Sequence, residues 1–329
     1  VIATGARPVR PGFMPADSPR VMTTDEAATA VDLPESVVII GGGVIGCEFA
    51  TIYAELGIRT LLVEMLDRLA GEMDEDSAEA IAASLADRGV EVLVGERVVA
   101  MSADAEGVIA ELAGGRRIES ACALVAVGRQ ANVEEVGLNE VAVELADGVI
   151  RVDDRCRTNV PGIYAVGDVA ETRQFAHLAE RMGIVAAENI MGIDLVDDRS
   201  VVPIGVYTHP EAASVGLPLA EAKERFGSAR VFRYSYSNSP MGIACDRTAG
   251  QLKVIADPET GTIYGAVWIG PHATDMIQEM ALAMRSGITM EQLWHTIHAH
   301  PTFQEAASVA ADAWVAGAMR QERTGRGKA

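Results

Sequence analysis

The sequence predicts an α/β protein in which a parallel-sheet unit is followed, after about residue 200, by an α+β unit with an antiparallel sheet. Three observations carry that expectation. Val37-Val38-Ile39-Ile40 is an unbroken apolar run, the pattern of a strand buried on both faces of a parallel sheet. Next come Gly41-Gly42-Gly43-Val44-Ile45-Gly46, a helical stretch from Cys47 to Leu56, and a second apolar run, Thr60–Val63, ending on Glu64. Beyond Ser200 the apolar runs are shorter and separated by turn residues. The clearest pair, Gly250–Ala256 and Thr262–Ile269, flanks Asp257-Pro258-Glu259-Thr260-Gly261.

The glycines fit the spacing G-x-G-x-x-G, and each has its own physical task. Gly41 allows a tight turn, Gly43 lets the backbone approach a pyrophosphate, and Gly46 lets helix and strand pack closely. Val44 and Ile45 open the helix, whose free N–H groups and positive dipole end favour a phosphate. Gly57 supplies a left-handed cap at the far end. Glu64, 23 residues after Gly41, is placed to accept hydrogen bonds from an adenosine ribose. A 2′-phosphate there would meet a like charge, which favours NAD over NADP. A glycine motif alone would also suit a ligand-free strand-to-helix turn. Strand, helix, second strand and terminal acid in register favour Rossmann-like dinucleotide binding.

The other elements follow in order. Residues 1–6 read as a strand, and residues 9–35 as a Pro-rich polar loop with a short helix at 24–31, capped by Thr23 or Thr24. A helix at 74–88 has acids in its first turn and Gly89 after its last. Residues 90–94 form a strand, residues 96–119 a meander turning at 104–107 and 114–115, and Cys122–Val127 a strand stopping at Gly128-Arg129. A short buried strand at 162–168 ends on Gly167-Asp168, where open α/β sheets bind ligands, and a helix follows at 176–190. A Gly-Asp turn without a ligand is the plainer reading of that step. After residue 200, helices are expected at 218–225, at 274–286 with Met276, Ile277, Met280, Ala281 and Met284 inward, and beyond Pro301 with Ala306, Ala307, Ala310 and Trp314 inward. The polar tail from Arg320 is expected to fray.

Composition bounds the functions. A chain of 329 residues forms two or three domains, and its apolar runs are strand-sized, so no transmembrane helix is expected. A formal net charge of -20 disfavours nucleic acid and anionic membranes as partners. Lys223, Lys253 and Lys328 are the only lysines among 27 basic residues, and the sequence assigns them no role. Cys47, Cys122, Cys156 and Cys245 lie far apart, so no zinc or local disulfide motif is read, and each is expected to be a buried reduced thiol, as in a cytoplasmic protein. The chain starts inside an apolar run without an initiator Met or signal peptide, and is expected to continue a longer protein.

Five segments in sequence resemble the flavin-dependent disulfide reductases, the pyridine nucleotide-disulfide oxidoreductase family. Val1-Ile2-Ala3-Thr4-Gly5-Ala6 resembles the family's ATG strand, and Gly41–Gly46 its NAD fingerprint. Val127-Gly128-Arg129 resembles the strand closing the NAD domain, and Tyr164–Asp168 the second FAD motif. His298-Ala299-His300-Pro301-Thr302 with Glu305 resembles the C-terminal catalytic motif. The resemblance implies a Rossmann-like NAD-binding domain (33–150) inserted in a partial FAD-binding domain (1–32 and 151–199), followed by an α+β dimerisation domain (200–329). It further implies that Gly167-Asp168 holds the FAD ribitol, that Ala176 and His177 approach the flavin, that Gly128 belongs to the cofactor-binding set, and that Glu48 lies near flavin and nicotinamide. His300, oriented by Glu305, would be the acid/base, serving the flavin site of the other subunit of a homodimer.

Chemistry read from the residues agrees, since histidine passes protons near neutral pH and a carboxylate fixes its tautomer. A structural histidine, or a metal site using His295, His298 and His300, are the other readings, and Pro301 interrupts helical ligand spacing. The implied activity is oxidation of a dihydrolipoamide-type dithiol, free or on a lipoyl carrier domain, through a redox disulfide and FAD to NAD. The alternatives are a mercuric-ion or glutathione-type reductase, a non-catalytic NAD-binding dimerisation module, or half of a split enzyme. The family's first FAD fingerprint and its C-x4-C pair, which precede the ATG strand, do not occur in these residues, nor does the lysine that would pair with Glu48.

Overall fold

The structure, a computed structural model, describes the backbone of residues 1–326 and the side chains of residues 1–317. The chain opens with β1 (Ala6–Pro8), β2 (Val21–Thr23) and α1 (Thr24–Ala27), where Thr23 and Glu26 form a capping box. The expected βαβ unit follows as β3 (Ser36–Ile40), α2 (Val44–Glu55) and β4 (Arg59–Val63). Next come α3 (Glu75–Asp87), capped by Asp74, and β5 (Glu91–Leu93). The meander is β6 (Val98–Ala103), β7 (Val108–Leu112) and β8 (Arg117–Ser120), after which β9 (Cys122–Val125) returns to the main sheet. That sheet is all parallel in the order β2-β9-β3-β4-β5, with Ile39 opposite Leu62 on one side and Leu124 on the other. Helices α2 and α3 cover one face of the sheet and the β6–β8 meander the other, which explains why Ser36–Ile40 is buried throughout.

Two expectations about the leading segment are corrected. Val21–Thr23, read as loop, is the edge strand of the parallel sheet, three residues being too few to show a period. The helix at 24–31 stops at Ala27. Similarly, α2 begins at Val44 rather than Cys47, because Gly43 is already the N-cap.

The next strand, β10 (Arg129–Ala131), pairs antiparallel with β1, and β11 (Leu145–Ala146) with β12 (Val149–Ile150) makes a small ribbon. The strand expected at 162–168 is reduced to isolated bridges, Ile2 with Ala165 and Arg157 with Tyr164, and Asp168 falls in a 3-10 turn over Gly167–Val169. A ladder needs a partner along its length, and among the described residues only Ile2 lies parallel to this one. Helix α4 spans Ala176–Ile190 as expected.

The second unit is built on an antiparallel sheet with helices packed on one face and the parallel unit on the other. Its strands are β13 (Ile204–Val206), β14 (Ala212–Gly216), β15 (Arg230–Ser235), β16 (Gln251–Ala256) and β17 (Ile263–Ile269), in the order β13-β14-β17-β16-β15. Helix α5 (Leu219–Phe226) matches the expectation, whereas α6 (Pro240–Ala244) and α8 (Met290–His295) are too short to show a period. In α7 (Ala273–Arg285) the fully buried residues are Ala273, Met276, Ile277, Met280 and Ala283, while Ala281 and Met284 are partly buried. Helix α9 (Ala306–Arg326) buries Ala306, Ala307, Ala310 and Trp314 and continues through most of the expected frayed tail. Residues 327–329 lie outside the described residues.

The two units share a core. Val206, Ala212, Val267 and Ile269 of the antiparallel sheet join Ile39, Cys47, Ala50, Leu62 and Leu85 of the parallel unit in one apolar cluster. One cysteine expectation fails: Cys245 is exposed at the end of α6, its Sγ 3.4 Å from Met241 Sδ, and Cys122 is half-buried. Cys47 and Cys156 are buried as expected. No helix among the described residues is long and apolar enough to cross a membrane.

Candidate functional site

Sterics at the glycine motif are severe. Gly41 has φ +106°, and a Cβ there would sit 2.3 Å from the Ala126 carbonyl oxygen. A Cβ at Gly46 would lie 1.9 Å from the Gly41 oxygen, so the helix approaches the strand as only glycine allows. Above Gly43 the space is open within 4 Å, and the first-turn amides at Gly43, Val44 and Ile45 have no intrahelical acceptor. Side chains are excluded, donors point outward, and a dipole end faces the gap, so these residues fit a dinucleotide pyrophosphate.

Glu64 forms the far wall of that cup. The residue is 8% exposed; its carboxylate Oε2 accepts from the Gly42 amide at 2.6 Å and Oε1 from the Leu66 amide at 2.7 Å. Each oxygen keeps a lone pair for a ribose hydroxyl. Gly42, an x position of the motif, escaped the sequence reading. A Cβ there would stand 2.5 Å from Leu69 Cδ2 and 2.9 Å from Glu64 Cβ. The spacing carries no signal for it, since its neighbour arrives 22 residues later.

Glu48, on α2 past the glycines, is half-buried and accepts from the Tyr207 amide at 2.9 Å. Burial pushes its carboxyl up, partly offset by that amide. Gly128, at φ +113°, is exposed, and its carbonyl accepts from Val9 N at 3.0 Å.

The second FAD-like segment places Gly167 and Asp168 against the start of α4, where a Cβ on Gly167 would meet Ala179 Cβ at 3.2 Å. The half-buried Asp168 carboxylate accepts no hydrogen bond among the described residues, and the α4 amides beginning at Ala176 point past a cap, Phe175, that offers no side-chain acceptor. An acceptor for hydroxyls beside free amides fits part of a flavin nucleotide site. His177 stacks on Phe175 (centroids 5.3 Å apart), and its Nε2 lies 3.0 Å from the Pro203 oxygen.

At the other end of the chain, His300 Nδ1 donates to Glu305 Oε1 at 2.8 Å, and Glu305 Oε2 accepts from the Thr302 amide at 2.8 Å. Burial raises the Glu305 carboxyl, but the Thr302 and His300 hydrogen bonds outweigh it and hold Glu305 below the usual carboxylate range. The His300 side chain is 64% exposed, and Nδ1 donation leaves Nε2 as the acceptor of a neutral ring. His298 turns the other way: its Nε2 donates to Glu279 Oε1 at 3.0 Å, and Gln304 donates to the second Glu279 oxygen. The histidines thus have separate carboxylates. No hydrogen bond or ion pair among the described residues joins His300 or Glu305 to Glu48, Glu64 or Asp168.

Comparison with known proteins follows the same segments. A family model described as pyridine nucleotide-disulphide oxidoreductase matches residues 1–183, and one described as the dimerisation domain of that family matches residues 202–311. A dihydrolipoyl dehydrogenase of Bacillus subtilis is 36% identical over 321 residues, covering 95% of this chain and 68% of that protein. One from Haloferax volcanii is 37% identical over 319 residues, covering 95% of this chain and 67% of its own. Among solved structures, LpdA from Mycobacterium tuberculosis superposes with a TM-score of 0.89 at 29% identity, covering 94% of this chain and 68% of that one. The flavoprotein disulfide reductase RclA from Escherichia coli gives 0.87 at 25% identity, covering 94% and 72%. On these matches, the chain belongs to the pyridine nucleotide-disulphide oxidoreductase family.

Proposed function

We propose that the protein oxidises a dihydrolipoamide-type dithiol with NAD as final acceptor, as the names of its relatives suggest for them. The observation that carries the reading is the His300–Glu305 pair, an exposed imidazole oriented through one nitrogen by a buttressed carboxylate. Such a ring takes the proton from a thiol, leaving the thiolate that attacks a disulfide, and Glu305 then stabilises the imidazolium. Oxidation of the dithiol releases two electrons and two protons, and His300 handles the first proton. The exchanging disulfide is not supplied by this chain's cysteines. All four are free, and burial pushes the Cys47 thiol up to about 12 and the Cys156 thiol up to about 11.

FAD, when bound, would supply the two-electron chemistry between the reduced form of the exchanging disulfide and the nicotinamide. Asp168 would hold the ribitol, and the backbone of Gly167, Ala176 and His177 would border the flavin. Glu48 would lie between flavin and nicotinamide. Gly41, Gly43, Val44, Ile45 and Gly46 would hold the pyrophosphate, with Glu64 on the ribose and Gly128 at the edge of the cleft. This reading divides the chain into a flavin part (1–32 and 151–199), a nucleotide part (33–150) joined by β2, and an interface part (200–329). It makes the protein a cytoplasmic homodimer in which His300 serves the partner's flavin. The substrate is the dithiol, free or on a lipoyl carrier.

The test is His300→Gln in the flavin-loaded enzyme. Reduction of the flavin by dihydrolipoamide should fall about a hundredfold or more, with NADH binding unchanged. Unchanged reduction by the dithiol refutes the assignment.

A further inference from the structure

Lys253 lies on β16, in the interface unit, yet it reaches across to the first turn of α3. It is 5% exposed, and its Nζ donates to Asp76 Oδ2 at 2.7 Å and to Asp74 Oδ2. Arg233 of β15 also reaches Asp76, at 3.1 Å. A nearly buried ammonium is costly to desolvate, and here two carboxylates compensate it.

One of those carboxylates has a second task. Asp74 is the N-cap of α3, with Oδ1 accepting from the Ser77 amide at 3.3 Å while Oδ2 takes the lysine. Asp74 is also where the loop from Glu64 ends, and that loop walls the nucleotide cup. Leu66 N donates to Glu64, and Ala70 N donates to the Gly42 carbonyl at 2.8 Å. Leu69 and Ala70 are buried against the glycines, and Met73 N closes the loop by donating to the Ala70 carbonyl at 2.8 Å. The loop is thus fixed at one end by the Glu64 carboxylate and at the other by Lys253.

We propose that Lys253 is a positioning residue for nucleotide binding: from the interface unit it fixes the Asp74 end of the loop that holds Gly42 and Glu64 in binding geometry. The inference rests on the reading of Gly41–Glu64 as the NAD site. Without the ammonium, Asp76 keeps Arg233 as its cation, whereas the part-buried Asp74 carboxylate loses its ion-pair partner. The first turn of α3 moves outward, and the loop drags Leu69 and Ala70 from the cup. The adenosine and pyrophosphate half of the ligand bears the loss.

The test is NADH and ADP-ribose binding to the flavin-loaded enzyme, alongside its thermal midpoint, for wild type, Lys253→Met and Lys253→Arg. Lys253→Met should weaken both ligands by about tenfold, and Lys253→Arg should recover most of the loss. ADP-ribose lacks nicotinamide, so an equal loss places the defect at the adenosine end. Should Lys253→Met fail to fold, Asp74→Asn, which keeps an N-cap acceptor but removes the charge that Lys253 holds, should show a severalfold loss for both ligands. A lower thermal midpoint with wild-type affinity for both would make Lys253 a structural strut and overturn the proposal. Loss of NADH affinity with ADP-ribose unchanged would overturn it equally. Failure of the wild-type enzyme to bind NADH would instead overturn the NAD-site reading.

Discussion

At Glu64, two backbone amides converge on one carboxylate, and in the proposed NAD site that convergence would make it selective. The Gly42 and Leu66 amides hold both oxygens in place, so the charge cannot swing aside for an incoming 2′-phosphate. A ribose bearing free hydroxyls finds two fixed acceptors, whereas a phosphorylated ribose finds a like charge in a poorly solvated pocket. Glu64→Arg should therefore shift the ratio of NADPH to NADH affinity towards NADPH by at least tenfold, read by titrating each ligand. An unchanged ratio would mean that Glu64 does not face the ribose. The His300–Glu305 pair follows the same logic, a carboxylate anchored by a backbone amide orienting the imidazole to which the proposed function gives the proton transfer.

At the scale of elements, short turns carry much of the polar organisation. Between β16 and β17, Asp257 Oδ1 accepts from the amides of Glu259 and Thr260 at 2.9 and 2.8 Å, and Oδ2 accepts from Ser228 at 2.6 Å. The Asp257 carbonyl accepts from the Trp314 indole at 3.0 Å, tying the turn to α9. Burial raises the Asp257 carboxyl, but the Ser228, Thr260 and Glu259 hydrogen bonds outweigh it and hold it at about 2. A carboxyl whose folded pKa is depressed adds stability above its unfolded pKa, here 3.8, and that contribution is lost as pH falls towards 2. Urea midpoints measured from neutral pH down to about pH 2 should therefore show a shallower acid decline for Asp257→Asn than for wild type. Parallel curves would mean that this turn contributes nothing to acid sensitivity.

Over the whole molecule, local signals were legible in the sequence and distant ones were not. The βαβ unit, the meander, α4 and the β16–β17 hairpin each announce themselves within a short continuous stretch of chain, through period, cap and turn chemistry. The glycine cup was legible because its spacing is a local steric code. Gly42 was not, because its constraint comes from Leu69 and Glu64. Lys253 stood in the sequence as one of three lysines without a role, and only folding brings it to Asp74, 179 residues away. The shared core has the same origin, since Val206, Ala212, Val267 and Ile269 meet Cys47 and Ala50 only after both sheets form. His209 Nδ1 on Glu55 at 2.6 Å and the Tyr207 amide on Glu48 add polar ties between the units, so the nucleotide cup is seated on the antiparallel sheet. The most direct test is a crystal structure of the enzyme with NAD bound. The account predicts pyrophosphate oxygens about 3 Å from the Val44 and Ile45 amides and a ribose hydroxyl donating to Glu64. A nucleotide seated elsewhere, or its ribose turned away from Glu64, would contradict it.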